Sequence, residues 1–177
     1  MGTGTQTNDF GRLELSRRVL HWLRVLNIAY GGGVGLLLIA SIVAPALLFR
    51  ALGVRGEGST TTTMSMQGIM VVGVAGAVIA HQILTRLLRI VESVREGDPF
   101  VSANAIRLRA IAWWVLVTQL LHIVVWVLFK LASTPAQPIR MDWSFSFAPW
   151  VAVLLLFVLA RVFEHGARMR EDIEGTV

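Results

Sequence analysis

Four long stretches without a charged side chain constrain this chain more than any other feature. No Lys, Arg, Asp or Glu occurs between Val25 and Phe49, between Ser59 and Thr85, between Ala110 and Phe129, or between Trp143 and Ala160. A helix needs roughly 20 apolar residues to cross a hydrocarbon core of about 30 Å. Each run approaches or exceeds that length. A soluble bundle would carry a polar face on every helix, whereas these segments are apolar all round. Charged residues make up 15 % of the chain and apolar ones 55 %, against roughly 25 % charged in soluble domains. The chain reads as an all-α, integral membrane four-helix bundle with short cytoplasmic helical extensions. Residues 1–11, rich in Thr, Gly, Asn and Gln, are expected to be a disordered N-terminal tail. Residues 12–177 form one domain, with spans at about 26–49, 64–88, 107–131 and 143–163. The first run follows a basic stretch, as in a signal peptide. It is longer than a signal core and lacks a small-residue cleavage site, so it is read as an uncleaved span.

The basic residues give an orientation. Arg12, Arg17, Arg18 and Arg24 precede the first span, Arg86, Arg89, Arg95, Arg107 and Arg109 surround the middle connector, and Arg161, Arg168 and Arg170 follow the fourth span. Only Arg50, Arg55, Lys130 and Arg140 fall on the opposite side. The positive-inside rule places both termini and the middle connector in the cytoplasm. The net charge of +5 is thereby explained by span ends and anionic lipid headgroups, and no direct nucleic-acid binding is expected. The outer connectors are expected to be loops: Gly53, Gly56 and Gly58 with the run Ser59 to Thr63, then Thr134 to Pro138. Trp143 and Trp150 flank the start of the fourth span, Trp113 and Trp114 mark the inner end of the third, and Trp126 its outer end.

The inner ends continue as amphipathic helices. Leu84, Leu87, Leu88, Val91 and Val94 alternate with Arg86, Arg89, Glu92, Arg95 and Glu96 at helical spacing. Gly97 is the expected C-terminal cap of that helix, and Pro99 prevents its continuation. Ser102 is the expected N-cap of the third span. The connector between them, with Arg95, Asp98, Phe100 and Asn104, is the densest polar stretch of the chain. It reads either as a tight solvated hairpin or as a docking surface, with Phe100 as anchor and Asp98 as polar contact.

Within the spans, the polar residues are Asn27, Tyr30, His81, Gln82, Gln119 and His122. Polar groups in lipid are costly and face a bundle interior. Gln119 and His122, three residues apart, share a helix face. They serve as glue between helices or line an intramembrane polar site. His81 and His122 differ in depth by about 10 Å at a rise of 1.5 Å per residue, too far apart to share a metal. Gly31 and Gly35, Gly73 and Ala77, and Gly76 and Ala80 form small-residue pairs four apart. These suit ordinary close packing or a homodimer seam. No metalloprotease, nucleophile-elbow or phosphate-loop motif occurs, and no cysteine. The chain is expected to be no enzyme and to carry no cofactor or metal.

One further pattern is informative. The turn Gly97-Asp98-Pro99-Phe100, Asn104 followed by Arg107 to Ile111, and the tail around Phe163, Gly166, Arg168 and Glu171 to Val177 resemble a bacterial four-span family, domain of unknown function 2975. The resemblance implies a multi-pass protein of the bacterial inner membrane and carries no biochemical activity with it. Genes of such proteins often neighbour one for a small helix-turn-helix repressor. The resemblance therefore implies a membrane partner for a DNA-binding protein. The leading expectation is a regulator or adaptor that docks such a cytoplasmic partner. The alternative is a small-molecule or lipid-binding or transport protein with Gln119 and His122 in a cavity.

Overall fold

The computed structural model describes residues 4–51, 60–132 and 146–174. Among these residues five helices follow one another: α1 (Gly4–Val43), α2 (Pro45–Ala51), α3 (Thr60–Arg95), α4 (Ser102–Ala132) and α5 (Ala148–Glu174). Four of them, all but the short α2, are long and apolar enough to cross a membrane. Helices suit this setting because every backbone polar group is paired within its own segment. The all-α, four-span reading holds.

The helices stand in a row. α1 packs on α3, α3 on α4 and α4 on α5, and no other pair of long helices comes within 8 Å between Cα atoms among the described residues. This open arrangement leaves 12540 Å² accessible. A compact soluble protein of 19.5 kDa would expose roughly 8,500 Å². Much of the exposed surface is aliphatic: Leu36 is 70 % exposed and Leu154 63 %. Lipid chains, not water, suit that surface.

Several boundaries differ from the sequence reading. The first span does not run unbroken to residue 49, because α1 ends at Val43 and α2 starts at Pro45. Proline has no N–H to give the carbonyl four residues back, here that of Ser41. The Gln67 side chain of α3 donates to that carbonyl instead, at 3.2 Å. The bonds from Ala44 N–H to Ala40 and from Leu48 N–H to Ala44 persist on either side, so the helix bends rather than stops. At the N-terminus, α1 starts at Gly4, so residues 4–11 are helical where a disordered tail was expected. No proline interrupts that stretch, and extending an existing helix costs far less than nucleating one. Likewise α3 starts at Thr60, so Thr60 to Thr63 are its first turn and not loop. Gly53, Gly56, Gly58, Ser59, the Thr134 to Pro138 loop and Trp143 lie outside the described residues. At the start of α5, the Ser146 hydroxyl accepts the Ala148 N–H at 3.3 Å, and Pro149 occupies the first turn, where its missing N–H costs nothing.

The α1–α3 seam explains the small residues. A Cβ on Gly31 would come within 2.9 Å of the Ala77 methyl, and one on Gly73 within 3.3 Å of Val34. That close approach lets Asn27 of α1 donate to the Ala77 carbonyl of α3 at 2.9 Å. Asn27 is thus glue between helices, made possible by small neighbours. Gly32, Gly33 and Gly35 meet nothing within 4 Å. Of the Gly31 and Gly35 pair, only Gly31 serves this seam.

Candidate functional site

The charged residues gather at one end of the row. There the end of α3 and the α3–α4 connector lie between the start of α1 and the far end of α5. Glu14 of α1 lies 3.7 Å from Arg95, at the end of α3. Arg109 of α4 and Arg168 of α5 both reach Glu164, at 2.8 and 2.7 Å. Asp98 of the connector pairs with Arg170 of α5. Arg86 of α3 sits 5.9 Å over the Trp114 ring of α4.

The connector is held by its backbone first. Asp98 N–H donates to the Ser93 carbonyl at 3.0 Å and Gly97 N–H to that of Val94 at 3.2 Å. These are the paired bonds of a Schellman ending, which needs a left-handed residue between them. Gly97 supplies it, with φ of 84°. The expected cap is therefore in place.

Asn104 then closes the hairpin. Its amide donates to the Ser93 hydroxyl at 2.6 Å and to the Pro99 carbonyl at 2.9 Å. Its carbonyl accepts from Arg107 at 2.8 Å, and Arg107 also reaches the Arg89 carbonyl at 3.3 Å. Ser93 in turn donates to the Ile90 carbonyl at 2.8 Å. Asn104 is fully buried, at 0 % exposure. This corrects its expected place on a docking surface: a side chain with no exposed area presents nothing to a partner, and Asn104 instead holds the turn from within. Ser102 is the first residue of α4 itself, and the side-chain bonds described at this end come from Asn104.

Phe100 is the residue of the connector that offers apolar surface. Its ring packs 5.2 Å from that of Phe163 on α5. It also lies over Gly166, where a Cβ would meet the ring at 2.9 Å. One side of Phe100 remains open, at 45 % exposure. Beside it runs a groove of about 570 Å³ along α5, lined by Val158, Val162, His165, Met169 and Arg161. Val162 and Met169 are exposed. Arg95 and Asp98, expected as polar contacts for a partner, are engaged with Glu14 and Arg170. The exposed apolar surface at this end is thus Phe100 with α5 more than the turn itself. Gly166 was the signal within the sequence: glycine inside a helix costs about 1 kcal/mol unless a close neighbour needs the space.

A second concavity lies within the spans. Residues of α1, α3 and α4 line a cleft of about 360 Å³. Asn27, Tyr30, Thr118 and His122 give it polar edges, and Gly76 lies in its floor. A Cβ on Gly76 would meet nothing within 4 Å. His122 thus lines this cleft, and Gln119 is not among the residues that line it. Thr118, His122 and Val125 form one stripe of α4, and Gln119 is a step of about 100° away from Thr118. Gln82 is engaged by Arg86 at 2.8 Å. Among the described residues, no three His, Asp or Glu side chains gather closely enough to hold a metal ion.

The model of the family described as "Protein of unknown function (DUF2975)" matches residues 20–177. No curated protein and no solved structure matches the chain.

Proposed function

The chain belongs to the DUF2975 family, and we propose that it is a non-enzymatic regulator or adaptor of the bacterial inner membrane. In this reading both termini and the α3–α4 connector are cytoplasmic, as the concentration of arginine at that end favours. The groove beside Phe100 receives an apolar side chain or amphipathic helix of a soluble partner, such as a small helix-turn-helix repressor. The observation that carries the reading is the half-open Phe100 ring at the mouth of an apolar groove, held by the Schellman turn, Asn104 and the Asp98–Arg170 pair. A groove of this kind recognises helices through anchors three and four residues apart. Arg161 and His165 at its rim suit an acidic partner edge.

Replacing Asp98 would loosen the connector as well as remove a contact, since Asp98 holds Arg170. Met169→Glu is the cleaner test. It puts a charge into the groove at an exposed position and leaves the Phe100–Phe163 contact alone. Recovery of the partner with the purified protein should fall about tenfold, a loss of about 1.4 kcal/mol. Undiminished recovery sinks the docking role.

The cleft between α1 and α4 favours a second reading, a protein that binds or moves a small molecule or lipid within the membrane. His122 on its edge is the observation behind it. His122→Leu should then change ligand binding or export and leave the topology intact. A change in thermal stability alone assigns His122 to helix packing.

A further inference from the structure

A third cleft, of about 650 Å³, lies between the start of α1 and the end of α3. Four arginines line it, Arg17, Arg18, Arg24 and Arg89, against two glutamates, Glu14 and Glu92. Glu14 is already shared between Arg18 and Arg95, each at 3.7 Å. Among the described residues, no carboxylate lies within ion-pair distance of Arg17, Arg24 or Arg89. Three guanidinium groups thus share one cleft with a single uncommitted carboxylate, that of Glu92.

Its depth identifies the ligand. Arg24 is the last charge before the apolar run of α1, and Arg86 is the first charge after that of α3. The cleft therefore sits where hydrocarbon gives way to headgroups. Trp22, which lines it and is 71 % exposed, is the residue type that favours that level. α1 is an outer helix of the row, so the cleft can be entered sideways from the bilayer. Guanidinium forks match phosphate oxygens in two parallel bonds.

We propose that this cleft binds the phosphate headgroup of an anionic phospholipid. Arg17, Arg24 and Arg89 hold the phosphate, Trp22 packs against the glycerol region, and the acyl chains follow the apolar faces of α1 and α3. Basic clefts between spans are recognised by such headgroups because the phosphate replaces water around the arginines without leaving the interface. The test uses the full chain in detergent, with native mass spectrometry to count bound phosphatidylglycerol, phosphatidylcholine or inorganic phosphate. The wild-type protein should retain one phosphatidylglycerol about tenfold more tightly than phosphatidylcholine. The double variant Arg24→Gln and Arg89→Gln should lose that preference. The double variant Arg161→Gln and Arg168→Gln, with the same charge change elsewhere, should keep it. Equal retention of the two lipids by the wild-type protein overturns the proposal without any variant. So does equal loss in both double variants, which would mean general charge attraction. Displacement of the lipid by sodium phosphate at millimolar concentration would mark a free-phosphate site and likewise overturn it.

Discussion

Removing Asn104 is the most searching perturbation of the connector. Asn104→Ala deletes two donated bonds, to Ser93 and Pro99, and one accepted bond, from Arg107. Ser93 keeps its bond to the Ile90 carbonyl, and Arg107 keeps the Arg89 carbonyl. The Pro99 carbonyl loses its amide partner inside the turn. Side-chain hydrogen bonds in membrane proteins average about 0.6 kcal/mol each, which comes to about 2 kcal/mol for three. A stranded part-buried carbonyl adds about 1–3 kcal/mol, so the total should be roughly 3–5 kcal/mol. Ser93→Ala should cost about 1 kcal/mol, and the double variant less than the sum by about 1 kcal/mol, because the two side chains share a bond. The assay is reversible unfolding in mixed detergent micelles, followed by tryptophan fluorescence. A loss below about 0.5 kcal/mol for Asn104→Ala, or strict additivity with Ser93→Ala, would refute the idea that this network holds the turn.

Three further outcomes follow from the packing. Gly31→Ala should destabilise the α1–α3 seam, because its methyl meets that of Ala77 at 2.9 Å; Gly32→Ala, with open space around it, should gain up to about 1 kcal/mol in the same unfolding assay. Gln67→Leu should cost about 1 kcal/mol in the wild-type background and little in a Pro45→Ala background, where residue 45 can supply an N–H to the Ser41 carbonyl. Gly166→Val should displace the Phe100 ring and cost about 1–3 kcal/mol; pairing it with Phe100→Ala should recover much of that loss.

The spans were legible because a soluble helix of about 20 residues needs charged or polar side chains on its water-facing side, and these runs have no charge at all. The shared charged end was legible too, since twelve of sixteen basic residues fall on alternate connectors. The Gly97 turn could be read because a left-handed residue followed by proline has a known place at a helix end. The role of Asn104 could not. An asparagine just after a polar turn reads as surface, and its burial depends on Ser93, eleven positions earlier. The groove at Phe100 depends on Phe163 and Gly166, more than sixty residues away, and no local pattern announces such a pairing. The bend at Pro45 carried a signal in the proline itself, hidden inside an apolar run that satisfied the length of a span. The row arrangement was invisible because helices apolar all round do not reveal which face meets a neighbour.

A cytoplasmic docking groove beside Phe100 is the central claim. The most direct test is a single cysteine at Met169 in this otherwise cysteine-free chain, carrying a cell-permeant photo-crosslinker in living cells. A docking groove predicts labelling from the cytoplasmic side and capture of a soluble DNA-binding protein, lost when Val162→Glu is added. Labelling from the outer face, or efficient cytoplasmic labelling that captures no protein, would contradict it.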